Sequence, residues 1–132
     1  MKLLAAPAFL IGLFISFSSA LAGILELDNP AWEEVPGTAD PLVDEQFSGS
    51  AYVDVNSLVD NGEILTFDMV GSAGDYVRME VDCNTSEFRA LRLGFFESQT
   101  RAEYREVNDP WQVASEGSYQ GAVVSFVCSF SE

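Results

Sequence analysis

Histidine is absent from this chain of 132 residues, and Lys2 is its single lysine. Without histidine no Ser–His or Cys–His pair can activate a nucleophile, and the commonest zinc ligand is missing. Beyond Lys2 there is no Ser–Lys pair and no amine for a Schiff base. The remaining basic side chains are Arg78, Arg89, Arg92, Arg101 and Arg105, against 21 Asp and Glu, for a net charge of −15. Nucleic-acid binding needs a positive surface, so that function class is excluded. Anionic membrane surfaces would also repel the chain. No glycine-rich phosphate loop is present. The catalytic chemistry left is a carboxylate pair of the glycosidase type, and among so many acids no one pair stands out. Most of the carboxylates read as solvation of an exported protein.

Long hydrophobic runs are confined to the start. "MKLLAAPAFLIGLFISFSSALAG" has a basic Lys2 and an apolar stretch from Leu3 to Phe17. Small residues follow at Ala20 and Ala22, ahead of a cut at Gly23, which is the pattern of a secretory signal peptide. An uncleaved anchor would use nearly the same apolar length, roughly 20 residues, but no basic stop-transfer flank follows. Cleavage after Ala22 is therefore expected, with a secreted or periplasmic location. Removing 1–22 leaves about 110 residues, enough for one core. No cysteine lies near the cut, so a lipid-modified N-terminus is not expected. Cys83 and Cys128 are the only cysteines. In an exported chain they read as a disulfide, worth about 4 kcal/mol in the loop-entropy model. A reactive thiol or metal pair would need an activating base or further ligands.

In 23–49, "ILEL" and "WEEV" can form short strands, and Pro36 to Pro41 reads as loop. From Ser50 the period becomes two. "SAYVDV" sets Tyr52 apart from Val53 and Val55. "EILTFDMV" sets Leu65, Phe67 and Met69 apart from Ile64, Thr66, Asp68 and Val70. "DYVRMEVD" sets Val77, Met79 and Val81 against Tyr76, Arg78, Glu80 and Asp82. "FRALRLGF" sets Phe88, Ala90 and Arg92 against Arg89, Leu91 and Leu93. Turn compositions separate these runs, so an antiparallel meander is predicted. "ESQTRAEYREVNDPW" is ambiguous, a loop or an irregular strand near Ala102–Val107. In the tail, Tyr119, Ala122, Val123, Phe126, Val127 and Phe130 recur at helical spacing, with Ser115 or Ser118 available as N-cap. The expected fold is α+β: a single antiparallel sheet of about five to six strands with a C-terminal helix packed on it, over 50–132, joined by the Trp32 region into one domain of about 30–130.

"YVDVNSLVDNGEILTF" gathers Asp54, Asn56, Asp60, Asn61 and Glu63 near Gly62, which suggests a calcium loop. The EF-hand needs oxygen ligands at positions 1, 3 and 5, glycine at 6 and glutamate at 12. Starting at Asp54, those positions reach Leu58, Val59 and Leu65; starting at Asp60, they reach Ile64 and Leu65. Asn61-Gly62 reads better as a tight turn, with Asp60 bonding back to its amides. No metal ligand and no cofactor is assigned. Trp32, Trp111 and the tyrosines at 52, 76, 104 and 119 suit a recognition surface, although core packing is the commoner use of tryptophan. Arg78, Arg89 and Arg92 fall on adjacent strands, placed for local ion pairs or for a small anion-binding spot.

The order of Trp32, Tyr52, Asp54, Ser57, Leu58, Gly62, Asp82, Cys83, Arg89, Trp111 and Cys128 resembles the surface-adhesin protein E family of bacterial exported proteins. The resemblance spans nearly all of the chain from Trp32. It implies an antiparallel sheet with a helix, a disulfide between the two cysteines and a non-enzymatic binding role toward proteins or surface glycans. The type member of that family binds host matrix and plasma proteins, while many of its relatives occur in bacteria with no host. Adhesin-type relatives are lipid-anchored, whereas this chain lacks the lipidation cysteine, and its acidity disfavours acidic polysaccharides. Trp32, Tyr52, Asp54, Ser57, Gly62, Arg89 and Trp111 carry structural roles in this reading; Asp54 and Ser57 organise a strand-to-turn corner. The alternatives are a small-ligand or divalent-cation binder using surface carboxylates and, third, a carboxylate-pair hydrolase.

Overall fold

The runs of period two become the strands of a sheet. A computed structural model describes residues 23–39 and 49–130. The expected signal peptide, and the end of the loop expected from Pro36 to Pro41, lie outside those residues. In chain order the elements are β1 (Gly23–Glu26), β2 (Trp32–Glu34), β3 (Tyr52–Asp54), a 3-10 turn (Val55–Ser57), β4 (Val59–Asp60), β5 (Ile64–Val70), β6 (Asp75–Asp82), β7 (Glu87–Ser98), β8 (Arg101–Glu106), β9 (Gln112–Val113) and the helix α1 (Tyr119–Ser129). All pairings are antiparallel, in the order β1-β8-β7-β6-β5-β3-β2, with β4 beside β5 and β9 beside β7.

The described residues hold nine strands rather than five or six. The surplus is made of pieces too short to show a period: β4 and β9 have two residues each. The ambiguous stretch before Trp111 is a regular strand, β8, because β1 and β7 pair with it on both sides. The tight turn is shifted by one residue from Asn61-Gly62. Asn61 N donates to Ile64 O at 3.0 Å, which puts Gly62 and Glu63 at the centre. Only Gly62 has positive φ (97°), as a turn with glycine at its first central position requires. Asp60 accepts from Gly62 N at 2.9 Å.

A bulge changes which side chains share a face. Arg78 pairs with Arg92 and Met79 with Ala90, which leaves Leu91 unpaired. The alternation expected for β7 therefore breaks at Leu91. Arg92 joins Arg89 on one face, and Leu93 joins Phe88 and Ala90 on the other.

That second face carries the core. Leu65, Phe67, Met69, Val77, Met79 and Val81 meet Val123, Val124 and Val127 of α1, with Val35, Ala51 and Val53 alongside. Each such side chain stabilises the fold by about 1.5–3 kcal/mol relative to exposure. The helical stripe is rotated slightly from expectation, since Val124 is buried and Phe130 is 48% exposed. Ser118 caps the helix by accepting from Gly121 N at 3.0 Å. A Cβ at Gly121 would strike the Ser115 carbonyl, so a poor helix former is required there by close backbone approach. Cys83, just past β6, is bonded to Cys128 in α1 across 45 residues of sequence.

A candidate binding face opposite the helix

The face away from α1 is also partly buried, and three cross-strand rows organise it. Tyr52, Val70, Tyr76, Gly94, Tyr104 and Gly23 are successive register partners across six strands. Large and small residues alternate along this row, so the rings have room. A Cβ at Gly94 would run into the Glu103 carbonyl and the Tyr104 backbone. The next row is Asp68, Arg78, Arg92 and Glu106, and the third contains Thr66, Glu80 and Arg89.

Asp68, 2% exposed, is the hub. Arg78 donates to it through two bonds, Nε to Oδ1 at 2.8 Å and Nη2 to Oδ2 at 2.9 Å. The Tyr76 hydroxyl donates to Oδ1 at 2.6 Å. Burial first, and then this bond to Asp68, push the Tyr76 phenol far above its ordinary range; the Asp68 bond raises Arg78 too. A buried carboxylate is tolerated only when its lone pairs are met in this way. Arg92 lies over the Tyr104 ring, 4.4 Å from its centroid, and bonds Glu106 at 3.2 Å. Arg89 lies 4.7 Å over Trp111 and bonds Glu80 at 2.8 Å. Arg78, Arg89 and Arg92 thus share one face, as their strands predict, and each has a carboxylate partner. They hold the sheet rather than form an open anion site.

Trp32 and Phe96 meet edge to face, with centroids 5.7 Å apart and planes at 85°. Phe96 and Tyr76 do the same at 5.5 Å and 90°. Strand β2 lies four positions from β7, roughly 19 Å along a flat sheet. The ring contact therefore requires this face to be concave. At one end of the hollow opens a cleft of about 480 Å³, lined by Trp32, Tyr52, Val70, Gly71, Gly74 and Phe96, with Glu97, Ser98 and Gln99 at the β7–β8 turn. Such a volume lies within the range of small-molecule pockets.

The structure brings Trp32 and Tyr52 together in this cleft. Neither tryptophan joins the helix-side core; both are half-buried on the opposite face, so core packing is not their role. Asp54 and Ser57 sit at the neighbouring corner. Asp54 Oδ1 accepts from Ala31 N (2.8 Å) and Asn56 N (3.1 Å). Ser57 Oγ donates to Asp54 O (2.7 Å) and accepts from Asp68 N (2.8 Å). This pins β2, and with it Trp32, to the sheet. Gly62, Arg89 and Trp111 lie away from the cleft. Sequence reasoning missed Asp68 as a hub and Phe96 as a wall. Asp68 was flagged only by being a carboxylate amid "LTFDMV"; Phe96 was hidden by the bulge upstream.

Glu97 hydrogen-bonds Glu103 and Arg101 at the cleft rim, and the Glu103 bond, then Arg101, holds its carboxyl below the ordinary range; Glu103 is raised in turn by Glu97. The two carboxyls touch each other, whereas a glycosidase pair stands about 5 Å or more apart across its substrate. Among the described residues no group of three or more acidic or cysteine side chains is arranged to hold a metal ion, and no helix is long and apolar enough to cross a membrane. Comparison with family models, curated proteins and solved structures gives no match.

Proposed function

We propose that the protein is an exported, non-enzymatic binding module of the surface-adhesin-E kind, released into the periplasm or medium, and that it engages its partner through the concave face opposite α1. The observation that carries this reading is the aromatic cleft of Trp32, Tyr52 and Phe96 on a scaffold pinned by the buried Asp68 network. Half-buried aromatic rings held on a rigid frame are the usual anchors of recognition, since little side-chain entropy is lost on binding. The partners implied by the resemblance are extracellular proteins or surface glycans.

The test is capture on immobilised matrix and plasma proteins, comparing the native chain, Trp32→Ala and a reduced and alkylated sample. The native chain is expected to be retained, and Trp32→Ala to lose at least tenfold. No retention above background, or equal retention by Trp32→Ala, counts against this face. Export is checked separately by the mass of the mature chain, which should begin at Gly23.

A further inference from the structure

Three features of the cleft define its ligand more narrowly, resting on the binding reading above. Its walls include two rings set at right angles, Trp32 and Phe96, the edge of one against the face of the other, with Tyr52 beside them. Perpendicular rings make a corner in which a rounded group can meet more than one π face. Among the described residues lining it, the charged one is Glu97 and none is basic. Glu97 stands at the rim, and a Cβ on the lining residue Gly71 would meet the Asp75 carboxylate. Arg101 offsets part of the Glu97 charge, but Glu26 also binds that guanidinium, and Glu103 adds another carboxyl. The chain as a whole is net −15, so its field concentrates cations and repels anions.

We infer that the cleft is an aromatic cage for an alkylated ammonium group, held by the π faces of Trp32, Tyr52 and Phe96 and by the carboxylates at its rim. Ring quadrupoles attract such cations, and alkylation lowers the cost of taking the charge out of water. A volume of about 480 Å³ holds the head group and a short chain. The same chemistry can arrive on a free quaternary amine or on a methylated lysine side chain of a bound protein.

The experiment titrates the full mature chain with choline and with its uncharged isostere 3,3-dimethylbutanol, read by calorimetry and by the shift of the Trp32 indole N–H. Choline is expected to bind at least tenfold more tightly than the isostere. Trp32→Ala should abolish that binding, Trp32→Phe should keep most of it, and Glu97→Gln should weaken it severalfold. N-acetyl-lysine amide and its trimethylated form distinguish the source: tighter binding of the trimethylated form than of choline points to a methylated lysine of a protein partner, the reverse to a free quaternary amine, and preference for the unmodified side chain over both overturns the cage. Equal binding of choline and the isostere overturns the inference while leaving the cleft as an apolar site. Absence of binding by every ammonium probe also overturns it; matrix capture that still depends on Trp32 would then show that the face is right and the ligand class wrong.

Discussion

At the residue scale, Asp68 decides the most. Its two oxygens receive Tyr76 and Arg78 in a place with almost no water. Asp68→Asn leaves the Arg78 guanidinium without its counter-charge, and the expected loss is about 3–5 kcal/mol. Tyr76→Phe removes one bond and keeps the ion pair, for a loss of about 1–2 kcal/mol. Urea unfolding of the two variants should rank them in that order. The raised phenol of Tyr76 has a further consequence. The unfolded phenol ionises near pH 10, while the folded one stays neutral to higher pH. The contribution is therefore full below pH 10 and is lost as pH rises above it. Tyr76→Phe should flatten this alkaline limb, leaving the smaller slope of Tyr119, which burial also raises. None of this was legible residue by residue. The sequence shows an acid and an arginine on alternating runs, but their meeting depends on the pairing of Asp68 with Arg78.

At the element scale, β5 and β6 were legible because their apolar residues recur every second position; β6 has the bounds of its run, and β5 starts one residue later than its run, at Ile64. The helix was legible for the same reason at a different period, and Ser118 is its cap. The bulge at Leu91 was not, because "FRALRLGF" alternates without a visible fault. Only pairing with β6 creates the mismatch. The same strand carries a position that admits no side chain. Gly94→Ala would drive a methyl into the Glu103 carbonyl and the Tyr104 backbone, and the obstruction is main chain, which cannot rotate away. The expected cost is about 3 kcal/mol, seen as a lower melting temperature. Hydrogen exchange should rise first in β8 and β1, whose pairing lies beyond the obstruction; unchanged protection there would show that the sheet absorbs the methyl.

At the scale of the whole molecule, charge sets the behaviour in solution. With a net charge of −15 and an isoelectric point near 4.1, the folded chain repels itself at neutral pH. Raising salt from 0.01 to 1 M shortens the screening length from about 30 to about 3 Å. The melting temperature should rise by roughly 3–5 °C as self-repulsion is screened. A fall would mean that ion pairs such as Arg89–Glu80 outweigh repulsion. Solubility should be lowest near pH 4. The acidity was fully legible in the sequence. The location of the cleft was not, because it draws residues from β2, β3, the β5–β6 turn and the end of β7, which only the curl of the sheet brings into one place.

The bond between Cys83 and Cys128 also governs how the chain would behave under tension. A pull applied between Gly23 and Phe130 enters through β1, runs to Cys83 and crosses directly to Cys128. The segment between the cysteines, which includes β7, β8, β9 and most of α1, is bypassed and cannot be drawn out. It would add roughly 160 Å of extension only after reduction. Strand β1 is the exception, because it is held by β8 inside the locked segment, and it is the first piece that a steady pull would peel away. Phe96 lies inside the locked segment, whereas Trp32 and Tyr52 lie on the drawn side of the bond, so a steady pull would part the walls of the cleft.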